Sequence, residues 1–403
     1  MTSVLSETLR ILYSFPDTLG EPGIGAAALH FVEGLVRRGH EVAVYCTSIG
    51  KDASEARELE ETKKVTTLSA AGVRIPHRAL GRRRAYRYHD QRVAHALADL
   101  AGQVDVVHVW PRATLQTAAA ARTLGIPTVR EVPNTHTAFA YARVAEETAM
   151  LGLKPLTGHS HTPDPIGLEL EKQEYDAVDM LAVPSEYARS TFLEHSIGSE
   201  RLALHRYGFD PERFPVPPPR PANVDDGLRA VFVGRCEPRK GLHYALQAWL
   251  DSGAAERGTF TICGDFYPGY DRVLARWLAH PSVQVNGFVD DVGALMRASD
   301  VLVLPSVEDG SALVTYEAQG SGCVLVVSDA AGARCEHMRS CLVHQAGDVE
   351  TLTSHLRLVD GDRSLLTRLR ARTLERRDQL TWDQGVRDLE TIYAGLVSRR
   401  AET

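Results

Sequence analysis

Two successive runs of alternating apolar strand and amphipathic helix constrain what this chain of 403 residues can fold into. In the first run, strands are predicted at Leu9–Tyr13, Glu41–Cys46, Val104–Val109, Pro127–Val132, Met180–Pro184 and Leu202–Arg206. Between the first two, Leu29, Val32, Leu35 and Val36 recur at helical spacing from about Ala26 to Arg38, and Gly39 ends the helix. The second run predicts strands at Leu228–Val233, Thr259–Cys263, Val283–Val285, Val301–Leu304, Val324–Val327 and Cys341–His344. Strand, helix, strand in that order makes consecutive strands parallel, so each run is expected to form its own doubly wound α/β sheet. Phe209–Asn223 carries six prolines, which interrupt both helix and sheet patterns, and reads as a linker. A last helix, Trp382–Arg400, places Val386, Leu389, Ile392 and Leu396 on one side. The expected division is therefore an N-terminal unit at 1–208, a linker at 209–223, a second unit at 224–380 and a terminal helix at 381–403. Ligands of such sheets bind outside the carboxyl ends of the strands, so the two units are expected to face each other across a cleft.

Composition removes several alternatives. No run of 18 apolar residues occurs to span a bilayer. The opening residues, MTSVLSETLRILYSF, lack the charged and hydrophobic regions of a signal peptide, so a cytoplasmic location is expected. A net charge of −7 argues against general nucleic-acid binding. The six cysteines show no CxxC pair, and four sit in or beside apolar strands, where reduced thiols are expected. Arginines outnumber lysines 39 to 6, and after Lys172 the one lysine is Lys240. A single lysine among arginines suits a place that needs a compact charge.

Four segments carry candidate chemistry. In Phe232–Leu242, FVGRCEPRKGL, Arg235 and Lys240 flank a turn between a strand and a helix. Two cations there suit a pyrophosphate whose charge grows as it leaves, although a turn with solvated charges has the same pattern. In Pro305–Cys323, PSVEDGSALVTYEAQGSGC, Asp309 and Glu317 stand on either side of a Gly-Ser-Ala turn that opens a helix. Free N–H groups and the positive dipole end at a helix start favour phosphate. Glu317, inside the helix, would repel phosphate and suits a neutral diol such as ribose, while Asp309 can accept from sugar hydroxyls. An acidic loop beside a helix dipole fits these two acids as well. Gly23 and Gly25 of GEPGIGAAA permit a tight loop after the first strand, but without GxGxxG spacing. His136, in REVPNTHT, is expected to face the cleft from the first unit, where it would hydrogen-bond the sugar or orient the acceptor, against a purely structural role.

Two further clusters are less specific. His159 and His161 lie in GHSHTPDP without a third ligand at metal spacing, so that segment reads as an acceptor-side loop and no metal site is expected. Arg82, Arg83, Arg84 and Arg87 precede a helix and form either a solvated face or a contact for an anionic lipid surface or phosphorylated acceptor.

Taken in order, GLVRRGHEV, DVVHVW, VPSEYARSTF, YGFDPERF, VGRCEPRKG, GFVDDVGALMRASDVLVLPS and the two-acid segment resemble the retaining glycosyltransferases of family 4 over nearly the whole chain. The resemblance implies the GT-B fold: two Rossmann-like doubly wound domains facing a cleft, with the C-terminal helix crossing back to the first. It implies transfer of a hexose from a nucleotide-diphosphate sugar to an acceptor hydroxyl with retained configuration. The setting would be bacterial glycan, glycolipid or natural-product glycoside synthesis, on the cytoplasmic side and peripheral to the inner membrane. It implies neither cofactor nor metal. Residue by residue, Arg235 and Lys240 match the family's donor-pyrophosphate pair and Glu317 the second acid of its E-x7-E motif, which holds the ribose. Gly310, Ser311, Ala312, Leu313 and Val314 match the turn whose backbone meets sugar and phosphates. Gly25 matches the N-domain glycine loop, His136 the histidine lining the sugar site, and Val289 the point where backbone meets base. The chain departs from the family at the first acid, which is Asp309 rather than Glu, one methylene shorter, with Glu308 beside it as an alternative carboxylate. A nucleotide-sugar epimerase of the same fold and a non-catalytic partner subunit are the competing expectations.

Overall fold

A computed structural model of the protein describes residues 8–51, 59, 62, 64–67, 69–70, 73–74, 81–218 and 227–401. Residues 219–223 of the expected linker and 402–403 of the terminal segment lie outside them.

The first half contains strands β1 (Arg10–Leu19), β2 (Glu41–Ile49), β3 (Lys64–Thr67), the short pair β4 (Ser69–Ala70) and β5 (Val73–Arg74), β6 (Val106–Val109), β7 (Thr128–Glu131), β8 (Met180–Val183) and β9 (Leu202–Leu204). Its helices are α1 (Ile24–Arg37), α2 (Arg82–Asp99), α3 (Leu115–Thr123), α4 (Thr137–Met150), α5 (Pro165–Ala177) and α6 (Glu186–Glu194). Seven strands form one parallel sheet in the order β3-β2-β1-β6-β7-β8-β9. Successive side chains of a strand point to opposite faces. Accordingly Ile11, Tyr13 and Phe15 join the core under α1, while Leu12 packs on the other face with Val93 and Leu97 of α2.

The second half contains β10 (Arg229–Val233), β11 (Thr259–Cys263), β12 (Val283–Gly287), β13 (Val301–Leu304), β14 (Val324–Ser328) and β15 (Cys341–His344). Its helices are α7 (Leu242–Asp251), α8 (Tyr270–Leu278), α9 (Val292–Ala298), α10 (Leu313–Gly320), α11 (Val349–Gly361), α12 (Arg363–Glu375) and α13 (Trp382–Ala401). The six strands run parallel in the order β12-β11-β10-β13-β14-β15. β13, VLVL, and β14, VLVVS, are buried on both faces and show no polar alternation, as a sheet covered by helices on both sides requires. In both sheets the order reverses beside the first strand of its half, between β1 and β6 and between β10 and β13. A crevice opens at such a point.

Helix α13 returns to the first half. A methyl group added at Gly34 of α1 would lie 2.4 Å from Val386 Cγ2, so the glycine is what lets the two helices approach. Glu390 accepts from Arg38 Nε at 2.6 Å and pairs with His40, and Tyr393 Oη lies 2.9 Å from His108 Nδ1 of β6. The two chain crossings between the halves run side by side: Phe209 N donates to Leu380 O at 3.0 Å and Trp382 N to Phe209 O at 3.3 Å.

The cysteines divide in a way their sequence positions do not suggest. Cys46, Cys236, Cys263 and Cys323 are buried thiols outside any disulfide. Cys341, expected as a buried thiol at the edge of a strand, is instead bonded to Cys335, whose Cα lies 6.0 Å away across a short loop. β15 holds one sulfur and the loop before it curls back to deliver the other. Among the described helices, none is long and apolar enough to cross a membrane.

Candidate functional site

The crevice of the second sheet, outside the carboxyl ends of β10 and β13, receives both sequence segments singled out above. After β10 the chain turns through Gly234, at φ 144, packed so closely on the next crossing that a Cβ at Gly264 would sit 1.9 Å from Gly234 O. Arg235 follows and is exposed. A single helical turn, Pro238–Lys240, then closes at Gly241 in the left-handed region (φ 69), where a Cβ would meet Pro305 O at 2.0 Å. Gly241 thereby seats the start of α7 against the end of β13.

After β13 come Ser306 to Ala312, almost entirely buried, and then α10. Ala312 caps α10 without a side-chain hydrogen bond, leaving the first turn to backbone N–H groups. The turn is braced from behind: Ala312 N donates to Ala331 O at 3.1 Å and Ser311 Oγ to Gly332 O at 3.0 Å. An ion pair between Lys240 Nζ and Asp309 Oδ2 joins the two segments. Arg239 Nη1 lies 3.5 Å from Asp309 and 3.2 Å from Glu308 Oε2, and its Nε pairs with Glu237 at 3.1 Å. Glu317 lies one turn into α10, partly buried, and among the described residues no donor reaches its carboxylate.

Electrostatics follow from this packing. Burial opposes the charge on Arg239, but Asp309, Glu308 and Glu237 outweigh it and hold the guanidinium above the ordinary arginine value. Burial and the neighbouring Arg239 lower the Lys240 ammonium against the pull of Asp309. Burial likewise raises the Glu317 carboxyl above the usual range, with Arg213 working in the other direction.

The N-terminal half approaches these elements closely. A Cβ at Gly310 would lie 2.2 Å from Pro133 O, so backbone meets backbone there, and Ser185 Oγ donates to Gly310 O at 2.5 Å. The Gly20–Ala28 loop is equally tight. Gly20 N donates to Gly25 O at 2.9 Å, and a Cβ at Gly25 would lie 2.5 Å from Thr18 O.

Against expectation, the His136 ring does not face the cleft. His136 caps α4: its Nδ1 accepts from Ala138 N at 3.3 Å, and the ring stacks on His195 at 3.8 Å and packs against Tyr175 and Phe192. That cap position turns the ring into the first half, and burial, helped by His195, lowers its pKa to about 4. The residue before it, Thr135, presents its hydroxyl instead, donating to Glu308 Oε1 at 2.6 Å.

The segment with His159 and His161 belongs to the first half and reaches across the cleft, His159 pairing with Glu237 at 3.1 Å and His161 with Glu308 at 3.5 Å. Among the described residues, no group of His, Cys, Asp and Glu is arranged to hold a metal ion. Val289 follows β12 next to Phe288, which is 79% exposed. Arg82, Arg83, Arg84 and Arg87 project from the first turns of α2, where Arg83 pairs with Asp164 and Arg82 reaches Gly158 O at 3.4 Å. Sequence patterns did not single out Thr135 or Arg239. Thr135 has no motif of its own, and Arg239 stands beside the lysine that drew attention.

Two family models match the chain. One described as Glycosyltransferase Family 4 covers residues 23–213, and one described as Glycosyl transferases group 1 covers 227–359. A D-inositol 3-phosphate glycosyltransferase of Xylanimonas cellulosilytica is 26% identical over 298 residues, 67% of this chain and 68% of that protein. Among solved structures, a sucrose-phosphate synthase of Thermosynechococcus elongatus superposes with a TM-score of 0.70 at 16% identity, over 97% of this chain and 100% of that one. Anabaena HepE, crystallised with UDP and glucose, superposes with a TM-score of 0.66 at 16% identity, over 96% and 100%. These neighbours share the GT-B fold.

Proposed function

The chain belongs to glycosyltransferase family 4, the nucleotide-sugar-dependent enzymes of GT-B fold, and on that premise we propose that it moves a hexose from a UDP-sugar to an acceptor hydroxyl, with retention and without a metal. The observation that carries the reading is the Lys240–Asp309 ion pair, which fastens the cationic turn after β10 to the helix start after β13 at the switch point of the second sheet. UDP with glucose in the HepE structure supports the choice of donor.

In this reading Arg235, Lys240 and the first-turn N–H groups of Leu313 and Val314 take the diphosphate. Glu317 takes the ribose hydroxyls, and the Val289 backbone meets the base. Gly310, Ser311 and Ala312 line the sugar, with Gly25 opposite and His136 shaping the first half behind Thr135. Asp309 is the first acid: Glu308 beside it is buried among Thr135, Arg239 and His161, whereas Asp309 holds Lys240.

Bond cleavage leaves negative charge on the departing diphosphate, and fixed cations with a helix start stabilise it. The acceptor hydroxyl attacks on the face the diphosphate is leaving, and a diphosphate oxygen takes its proton. Arg82, Arg84 and Arg87 lie where an anionic headgroup could dock. Co-sedimentation that anionic vesicles leave unchanged would remove the lipid arm of this reading.

The direct test is turnover with UDP-, GDP-, ADP- and TDP-sugars, read with a thermal-shift screen, since a bound donor raises apparent stability by mass action. Lys240→Ala should lower turnover by about a hundredfold, the scale of losing one charge stabiliser. Near-normal turnover in that variant would overturn the assignment.

A further inference from the structure

Glu308 is a carboxylate with no exposure at all, and it bridges the two halves of the molecule. From the first half, Thr135 Oγ1 donates to its Oε1 at 2.6 Å, and His161 Nε2 lies 3.5 Å from its Oε2. From the second half, Arg239 Nη1 donates to Oε2 at 3.2 Å and to the Glu308 carbonyl at 3.1 Å. A buried carboxylate is tolerated only when it is paired and hydrogen-bonded. Here full satisfaction requires both halves to be in place, because Arg239 alone leaves Oε1 without a donor.

Other contacts land on the same ground. Glu147 pairs with His243 at 2.7 Å and His159 with Glu237 at 3.1 Å. Leu156 N donates to Tyr267 Oη at 2.9 Å. All of these run from residues 133–162 to the turn 237–243, to Tyr267 or to the segment 308–310. Glu308 is the member that also touches the machinery: the guanidinium it holds is next to Lys240 and lies 3.5 Å from Asp309.

We propose that Glu308 and Thr135 form a cross-cleft latch. Glu308 is a positioning residue that registers the strand end 133–136 against the turn 309–312 and, by holding Arg239, leaves Asp309 to Lys240. The proposal rests on reading this cleft as the site of transfer. It names a device for fixing the distance between acceptor side and donor side, using residues that need touch neither substrate.

The test uses the full chain with Thr135→Val, Thr135→Ser, Glu308→Gln and the Thr135→Val/Glu308→Gln double variant. Loss of one hydrogen bond to a charged group corresponds to roughly 10- to 100-fold. Thr135→Val should lower kcat for transfer by about that factor while its Kd for UDP, measured calorimetrically, stays within about twofold. Thr135→Ser should restore kcat. Adding Glu308→Gln to Thr135→Val should cost much less than Glu308→Gln alone, as for two halves of one interaction. Amide hydrogen exchange at 154–162 and 308–314 should rise in Thr135→Val and return in Thr135→Ser. Equal losses in kcat and UDP affinity without rescue by serine would reduce the contact to ordinary structural support. If the wild type transferred no sugar at all, the functional reading would fall, and exchange at 308–314 would still judge the latch: unchanged protection in Thr135→Val overturns it.

Discussion

Glu317 sits where a carboxylate is expensive to charge. Burial raises its pKa, and Arg213 works against that shift. A raised carboxyl takes up its proton at a higher pH than an ordinary glutamate does, and the protonated form accepts fewer hydrogen bonds from a diol. Affinity for UDP should therefore weaken as pH falls through that raised value, at a pH where ordinary carboxylates are still charged. Glu317→Gln should bind more weakly at neutral pH and lose this acid limb. A variant whose Kd followed the wild-type pH profile would detach Glu317 from the nucleotide. The positions of Arg235, Lys240 and Glu317 beside the crevice were legible in the sequence because each stands at fixed spacing from a strand end or a helix start. Thr135 and His161 were not. Thr135 finds Glu308 across 173 positions of chain, and no local pattern records such a partner. His136 misled for a related reason: a histidine before a helix reads as a cleft residue until its capping bond turns the ring inward.

At the scale of elements, every strand of the second sheet was legible, since uninterrupted runs such as VLVL leave a covered parallel strand as the natural outcome. In the first sheet β1 runs on to Leu19, past Pro16, through a register shift between Phe15 and Thr18 that breaks the apolar pattern. β3, with the sequence KVTT, was missed because it has one aliphatic residue and takes its place by pairing with β2. The segment between β14 and β15 shows how an element of no obvious importance supports another. Ala331 and Gly332 brace the turn 311–312, and the Cys335–Cys341 bond closes the loop that follows. A disulfide closing so short a loop contributes about 2 kcal/mol by chain entropy. Dithiothreitol should lower the Tm of the wild type by a few degrees and leave Cys335→Ser/Cys341→Ser unmoved. Equal Tm values with and without reductant would show that the bond does not support the fold.

Over the whole molecule, desolvated histidines contribute to the response to acid, His136 and His344 buried and His30 partly so. Burial lowers His30, His136 and His344 to about 4 from an ordinary 6.5. The fold keeps them neutral while the unfolded chain takes up protons below about pH 6.5. Their contribution is therefore complete above that pH and declines as pH falls from about 6.5 towards 4. His344 isolates the effect, since neither ring nitrogen has a hydrogen-bond partner. His344→Phe should raise the urea midpoint more at pH 5 than at pH 8, and an equal change at both would exclude protonation as the cause. The paired crossings at Phe209 and Trp382 bear on a different matter, the modularity of the molecule. The second half is an insertion between the first half and that half's own last helix, so exchanging it with a relative is a two-cut graft. A chimera joined at the linker alone would carry a foreign α13, whose valine must still fit the notch at Gly34 and whose acid must still meet Arg38 and His40. On the proposed reading, with the donor held by the second half, its specificity can be transplanted as a cassette only if the native C-terminus is returned to its original partner.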